Sequence, residues 1–257
     1  MLGGRTGLYF AFFISLLMNG VGYFFSDKIA LKMSGAKRVT RVQAPDLYAM
    51  VEELSRKIKI PMPDLYVTPA RQANAFATGR GPGHASVAVT EGIMDILSKD
   101  ELKGVLAHEL AHVKNRDILV ASVAAVLAST ISFLANMAMW GGLSGGHDDE
   151  ENNGAGIFGI FVIILVPIAA SLIQFAISRQ REFGADETGA RTIGNGEPLA
   201  RALMAISGST KNHPMQTNPA MSSMYIENPL GGVGGSLMNL FSTHPPVEDR
   251  VKRLREI

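Results

Sequence analysis

The chain has 257 residues, no cysteine and a formal net charge of +1. Its mean hydropathy is +0.16 and only 18% of its residues are charged, whereas soluble domains average about 25%. These values exclude disulfides and thiolate metal ligands, give no support for nucleic-acid binding, and indicate a membrane protein.

Three apolar stretches are each long enough to cross a bilayer, which requires about 20 residues. They span residues 6–25, 119–140 and 155–177, and none contains Asp, Glu, Lys or Arg. The first is longer than the roughly 7–15 residues of a signal-peptide core and lacks a cleavage motif, which favours an anchor over a cleaved signal. We therefore expect about three transmembrane helices, and the alternative is that these stretches are buried helices of a soluble protein.

The charges that flank the three stretches predict their orientation. Basic residues cluster after the first stretch, before the second and after the third, whereas the loop between the second and third is acidic from Asp148 to Glu151. By the positive-inside rule, the large polar segments face the cytoplasm, and the chain is expected to be a multi-pass protein of the cytoplasmic (inner) membrane. The basic residues are Lys28, Lys32, Lys37, Arg38, Arg41, Lys103, Lys114, Arg116, Arg179 and Arg181.

The apolar stretches divide the chain into four predicted parts. Residues 1–25 form an N-terminal transmembrane helix, and residues 119–177 form a transmembrane hairpin. Residues 26–118 and 178–257 together are long enough to enclose one cytoplasmic hydrophobic core.

Local patterns predict the elements of the first cytoplasmic part. Apolar residues recur at helical spacing after Pro45 and up to Ile58. Residues 64–68 and 85–89 are typical of short strands, and the Gly-rich residues 79–83 predict a turn. The expected fold class is therefore α+β, mainly helical with a small β-sheet.

Residues His108 to His112 read His-Glu-Leu-Ala-His and match the H-E-x-x-H motif. Residues four apart lie on one face of a helix, so both imidazoles can reach one ion, and Glu109 is placed to take a proton from water without binding that ion. A capping box from Ser98 to Glu101 predicts the start of this helix. Because so short a motif also arises by chance, the alternative is a helix with partly buried structural histidines.

A catalytic zinc of this type needs a third protein ligand, for which Glu182 is the candidate. If the motif helix runs straight into the second span, His112 lies roughly 9 Å above the membrane edge, and Glu182 lies roughly 8 Å above it at the end of the third span. Asp186, one turn further, can accept a ring N–H from a ligand histidine and fix its tautomer. The alternative is that Glu182 and Asp186 belong to an ordinary charged helix end.

Four sequence blocks occur along the chain and together form a specific pattern. They are Asn-Ala-Phe-Ala-Thr-Gly at 74–79, the motif at 108–112 with Asn-Arg-Asp at 115–117, Arg-Glu-Phe-Gly-Ala-Asp at 181–186, and Ser-Thr-His-Pro-Pro at 242–246 followed by Arg250. With these blocks the chain resembles the HtpX family of heat-shock membrane metallopeptidases, which is related to the CAAX prenyl proteases. Members of that family usually carry a further hydrophobic segment upstream, so the start of the chain is expected to be truncated or misassigned.

The resemblance implies a gluzincin-type zinc metalloendopeptidase with one Zn²⁺ per chain. It implies that His108, His112 and Glu182 are the zinc ligands, that Glu109 is the general base, and that the substrates are misfolded or damaged membrane proteins. Function in protein quality control and the stress response follows from this expectation. The alternative is a catalytically inactive membrane adaptor or holdase, and the ligand set favours zinc over other divalent ions only in part.

Further residues have expected roles with open alternatives. His244 is the candidate for a second catalytic group that stabilises an oxyanion, and the alternative is a structural residue before a helix. Arg250 is expected to support the site by pairing with Asp186 or another carboxylate. Asn74, Ala75, Phe76 and Ala77 are expected to form an edge strand that binds extended substrate, and the alternative is a plain strand or loop.

Overall fold

The structure is a computed structural model that describes residues 5–144, 153–212 and 244–257. The acidic loop from Asp148 to Glu151 and the first two residues of the fourth block, Ser242 and Thr243, lie outside the described residues. The topology prediction that depends on the acidic loop therefore remains a prediction.

Four short strands form one mixed sheet. They are β1 (Lys37–Arg38), β2 (Asp64–Thr68), β3 (Ala75–Gly79) and β4 (Ala85–Thr90), and their order in the sheet is β1-β2-β4-β3. Strands β2 and β4 pair in parallel, and the other two pairs are antiparallel. The strands predicted at 64–68 and 85–89 are confirmed, and β3 lies at one edge of the sheet.

Among the described residues, five helices belong to the part of the fold that surrounds this sheet. Their apolar faces meet in one core with β2 and β4, where Leu54, Leu106 and Leu203 are almost completely buried. This core draws on residues from both predicted cytoplasmic segments. The five helices are α2 (Pro45–Ile58), α3 (Glu91–Ile96), α4 (Lys99–Asn115), α7 (Glu197–Asn212) and α8 (Val247–Leu254).

Three long helices carry the apolar stretches: α1 (Arg5–Met33), α5 (Asp117–Ser144) and α6 (Asn153–Ile193). Helices α5 and α6 pack against each other extensively. Among the described residues, one helical segment is long and apolar enough to cross a membrane, Asp117–Leu134, and only 11% of it is buried. A core helix of a soluble protein would bury far more of its apolar surface.

The start of α4 follows from local sequence chemistry. The Ser98 hydroxyl accepts a hydrogen bond from the Glu101 backbone, and the Glu101 carboxylate accepts one from the Ser98 backbone at 2.9 Å. This reciprocal capping box, which was predicted from the sequence, satisfies amides that the first helical turn leaves without partners.

The end of α4 differs from the prediction that the motif helix runs straight into the second span, which was wrong. Helix α4 ends at Asn115, and Arg116 adopts a left-handed conformation with φ 57° before α5 begins at Asp117. The Arg116 amide bonds back to the last turn of α4. The chain therefore changes direction at one residue, and the carboxylate of Asp117 turns back towards His112.

Candidate metal centre and active site

Three side chains from two helices meet at one point. Helix α4 supplies His108 and His112, whose Nε2 atoms lie 3.0 Å apart. Helix α6 supplies Glu182, whose carboxylate oxygens lie 3.6 Å from His108 Nε2 and 3.5 Å from His112 Nε2. A tetrahedral ion with ligand bonds of ~2.1 Å separates its ligand atoms by ~3.4 Å, so these separations suit atoms that share one ion.

Each of the two imidazoles is oriented by its own carboxylate. His108 Nδ1 lies 2.9 Å from Asp186 Oδ1, and His112 Nδ1 lies 2.7 Å from Asp117 Oδ2. A proton held on Nδ1 by the carboxylate leaves the lone pair on Nε2, the nitrogen that faces the common point. The donor set and its tautomers therefore fit a bound metal ion.

The two carboxylates are in turn held by arginines. Arg250, on α8, donates to Asp186 from Nε at 2.8 Å and from Nη2 at 2.7 Å, and its Nη1 lies 3.4 Å from Glu182 Oε2. Arg181, on α6, pairs with Asp117 and also donates to the Asn115 carbonyl. Arg250 is only 1% exposed, so its charge acts in a poorly solvated environment.

The electrostatics of these groups reflect their burial and their neighbours. Burial opposes ionisation of Glu182, but interactions with His244, His112 and Arg250 outweigh it and hold the Glu182 pKa well below the usual value. Burial likewise opposes ionisation of Asp186, but Arg250 and His108 lower its pKa to about 2. Both carboxylates are therefore anionic at neutral pH.

Glu109, the second residue of the motif, contacts the edge strand and lines the same cavity as the two histidines. Its Oε2 accepts a hydrogen bond from the Ala77 backbone N–H at 2.8 Å. Burial raises the pKa of Glu109, and interactions with the nearby His108 and His112 reduce that effect. The carboxylate is thus placed beside the metal position and against β3.

A cavity of about 530 Å³ opens onto these residues. His244 lines it, with Nδ1 3.3 Å from Glu182 Oε2. Ala75, Phe76 and Ala77 of β3 also line the cavity, but Asn74 does not. Asn74 is buried next to Thr90, and its N–H donates to the Thr90 hydroxyl at 2.9 Å.

Neither Asp117 nor its partner Arg181 was predicted to be a site residue, although both lie in the sequence blocks that carry the family resemblance. Asp117 lies two residues after the end of the motif helix, and this proximity in sequence was the available signal. Its contact with His112 depends on the left-handed residue Arg116, and neither composition nor helical periodicity reveals a single residue of this kind.

The fold and this site define a metallopeptidase. The chain matches Peptidase family M48 over residues 41–257. It is 52% identical over 262 residues to "Protease HtpX homolog" of Aquifex aeolicus, covering 100% of this chain and 86% of that protein. It is 50% identical over 258 residues to "Protease HtpX homolog" of Pyrococcus abyssi, covering 100% and 89%.

A solved structure shares the fold. The crystal structure of S. mikatae Ste24p aligns with a TM-score of 0.64 and 18% identity, and the match covers 96% of this chain and 58% of that chain. The chain therefore belongs to Peptidase family M48, and it is a membrane metalloprotease of the HtpX group. The inactive adaptor or holdase is not favoured.

Proposed function

We propose that this protein is a zinc-dependent endopeptidase with one Zn²⁺ per chain, bound by His108, His112 and Glu182. The observation that supports this most strongly is the convergence of one atom from each of these residues within 4.8 Å. Two imidazoles and one carboxylate form a ligand set that catalytic zinc sites use. Asp186 and Arg250 have supporting roles, because they orient His108 and offset the buried negative charge.

Zinc in this position would supply Lewis-acid activation of water and of the scissile carbonyl. Glu109 accepts a proton as the water oxygen attacks the carbonyl carbon, and it then transfers that proton to the amine nitrogen as the C–N bond breaks. Burial of Glu109, which raises its pKa, favours a carboxylate that can hold a proton between these two steps.

His244 is proposed as a donor to the oxyanion that develops on the substrate carbonyl. Its ring borders the same cavity as Glu109 and His112, and donors placed at a developing charge are worth about 10²–10³ in kcat. We expect His244→Ala to lower kcat with little change in KM. A normal kcat for this variant would exclude the role.

The edge strand β3 is proposed to bind extended substrate by β-augmentation. Backbone groups alternate in direction along a strand, and the Ala77 N–H faces away from β4 because it bonds Glu109. A peptide paired with this edge would lie close to the proposed base, because Ala77 contacts Glu109. Ala77→Pro removes that N–H and is expected to impair cleavage; unaffected cleavage by the folded variant would argue against substrate pairing at β3.

The membrane arrangement proposed from the sequence has four parts: residues 1–25, 26–118, 119–177 and 178–257. In this proposal about three helices span the membrane, the two catalytic parts face the cytoplasm, and the substrates are misfolded or damaged membrane proteins. Large apolar side chains on α1, α5 and α6 are exposed, and this exposure supports a bilayer environment around the three helices. They include Tyr9, Phe13, Leu17, Leu127, Leu165 and Ile173.

The decisive experiment compares detergent-purified wild-type protein with Glu109→Gln, measuring metal content and casein cleavage. We expect about one zinc per chain in both proteins and cleavage in the wild type alone, which a chelator abolishes and added zinc restores. Absence of zinc from both proteins after purification without chelators, or substantial cleavage by Glu109→Gln, would overturn the assignment.

A further inference from the structure

The cavity at the metal centre continues along the membrane-side parts of α5 and α6. On α5 its walls include Ile118 and several small side chains, and on α6 they include Phe175 and Gln174. Ala30 of α1 and Phe76 of β3 close other sides. The α5 side chains include Ala121, Ser122, Ala124 and Ala125.

Gln174 lies three residues before Ile177, the end of the third apolar stretch, which places it about 5 Å inside that stretch at 1.5 Å per residue. It precedes Glu182 by eight residues on one continuous helix, which corresponds to about 12 Å at 1.5 Å per residue. Residues spaced by about four and eight share a helix face, and both side chains line the same cavity. On α5, Ala124 lies about 10 Å beyond Asp117, at a similar depth and within the candidate membrane span.

The side chain of Gln174 is polar although the residue lies within the third apolar stretch. Its amide is both a donor and an acceptor, and it forms no hydrogen bond with any residue that the structure describes. The neighbouring Ser122 hydroxyl differs, because it donates to the Ile118 carbonyl of its own helix at 2.8 Å. A polar group in an apolar span is costly when it lacks a partner, and the described part of the fold does not account for this glutamine.

We propose that Gln174 is a substrate-binding residue whose amide hydrogen-bonds the backbone of an extended, apolar peptide segment lying in the cavity between α5 and α6. The inference rests on the proposed function, and it specifies the substrate as a locally unwound apolar segment that reaches the metal centre from the membrane side.

The hydrogen-bonding groups of an extended peptide backbone and of the Gln174 amide are complementary, which supports this binding mode. A peptide unwound at membrane depth has backbone N–H and C=O groups without partners, and a carboxamide offers one acceptor and one donor in the geometry of a peptide group. The alanine surface of α5 and the ring of Phe175 leave room for apolar side chains of the same segment. Gln174 therefore fixes the main chain, and the surrounding cavity selects for apolar side chains.

The test measures binding rather than turnover. Each variant is made in the Glu109→Gln protein loaded with zinc, and the affinity for a fluorescent Leu- and Ala-rich peptide in detergent is compared with that for a length-matched Ser- and Lys-rich peptide. The variants are Gln174→Leu, which removes the amide, and Gln174→Asn, which keeps it. Gln180→Leu is the matched control, because Gln180 lies on the same helix and is exposed.

We expect Gln174→Leu to raise the Kd of the apolar peptide about 2- to 10-fold, the range for loss of one or two hydrogen bonds. Gln180→Leu should bind like the parent protein, and Gln174→Asn should lie closer to it than Gln174→Leu. Ala121→Phe, which narrows the cavity without touching the amide, should also weaken binding of the apolar peptide.

Equal affinity of Gln174→Leu and Gln180→Leu would refute the inference. Loss of zinc and a lowered unfolding temperature in Gln174→Leu would assign the glutamine to helix packing and would also refute it. These results are separate from the proposed function, because cleavage by protein with Glu109 intact tests the peptidase and binding to the Glu109→Gln protein tests Gln174.

Discussion

A single methyl group at Gly189 tests how closely α6 must approach α4 to form the metal centre. A Cβ at this position would lie 3.0 Å from His108 N and 3.1 Å from both Ala107 C and His108 Cα. These are backbone atoms of a buried helix and cannot rotate away as a side chain can. Gly184, on the same helix, provides the matched control, because a Cβ added there would have nothing within 4 Å.

The expected change in the free energy of unfolding differs in sign between Gly184→Ala and Gly189→Ala. Replacing a helical glycine by alanine stabilises the folded protein by about 0.5–1 kcal/mol. Gly184→Ala should show this gain without any opposing steric cost. Overpacking costs about 1–3 kcal/mol, so Gly189→Ala should be less stable than Gly184→Ala by about that amount. Relief of the contact requires a shift of a few tenths of an ångström, beyond the ~0.2 Å tolerance of metal–ligand distances, so the zinc Kd should also rise.

The assay is thermal unfolding in detergent together with zinc titration against a chelating dye. With ~2–4 °C per kcal/mol for a protein of this size, Gly189→Ala should unfold several degrees below Gly184→Ala. If Gly189→Ala is as stable as Gly184→Ala and binds zinc equally well, the close contact between α4 and α6 does not define the site.

Two further substitutions test the groups that hold the ligands. Arg250→Met leaves Asp186 and Glu182 buried without their cation and should lower the free energy of unfolding by about 3–5 kcal/mol, measured by chemical denaturation. Lys252 is exposed on the same helix, so Lys252→Met should change the free energy of unfolding by less than about 0.5 kcal/mol. Similar effects of the two substitutions would show that the buried ion pairs contribute little to stability. Asp117→Asn should weaken zinc binding about 10- to 100-fold with the fold retained, as measured by dye competition, and unchanged affinity would show that Asp117 does not orient His112.

The parts of the site that the sequence predicts are those set by local or strongly constrained geometry. The spacing of His108 and His112 needs only a helix, and the capping box at Ser98 shows where this helix begins. The position of Glu182 follows from a predicted hairpin, in which two apolar stretches are joined by a short loop. The short loop limits where the two ends of the hairpin can lie. The structure brings these side chains together although the assumed continuous helix was wrong, since the break at Arg116 changes the path of α5 but leaves the pairing of α5 with α6.

The remaining features depend on contacts between residues distant in the chain or on one backbone conformation. The pairing of Arg181 with Asp117 joins two helices, and several partners for Arg250 were equally compatible with the sequence. Asn74 was predicted to belong to the proposed substrate-binding strand because it lies in the same sequence block as Ala75, yet its backbone N–H bonds Thr90 and its side chain is buried. Adjacency in sequence does not determine which way a residue at a strand end points.

Two series of contacts that support the imidazoles explain why the site combines residues from such distant parts of the sequence. One runs from His108 through Asp186 to Arg250 on α8, and the other runs from His112 to Asp117 and Arg181 across α5 and α6. Neither imidazole is oriented by its own helix alone, because each depends on a carboxylate that an arginine holds in place. If α8 were detached from the fold, the first series of contacts would be lost. If α5 and α6 were separated, the second series would be lost. Correct metal geometry is therefore coupled to completion of the fold on both sides of α4, and a partly folded chain would have an impaired site for the chemistry that cleaves proteins.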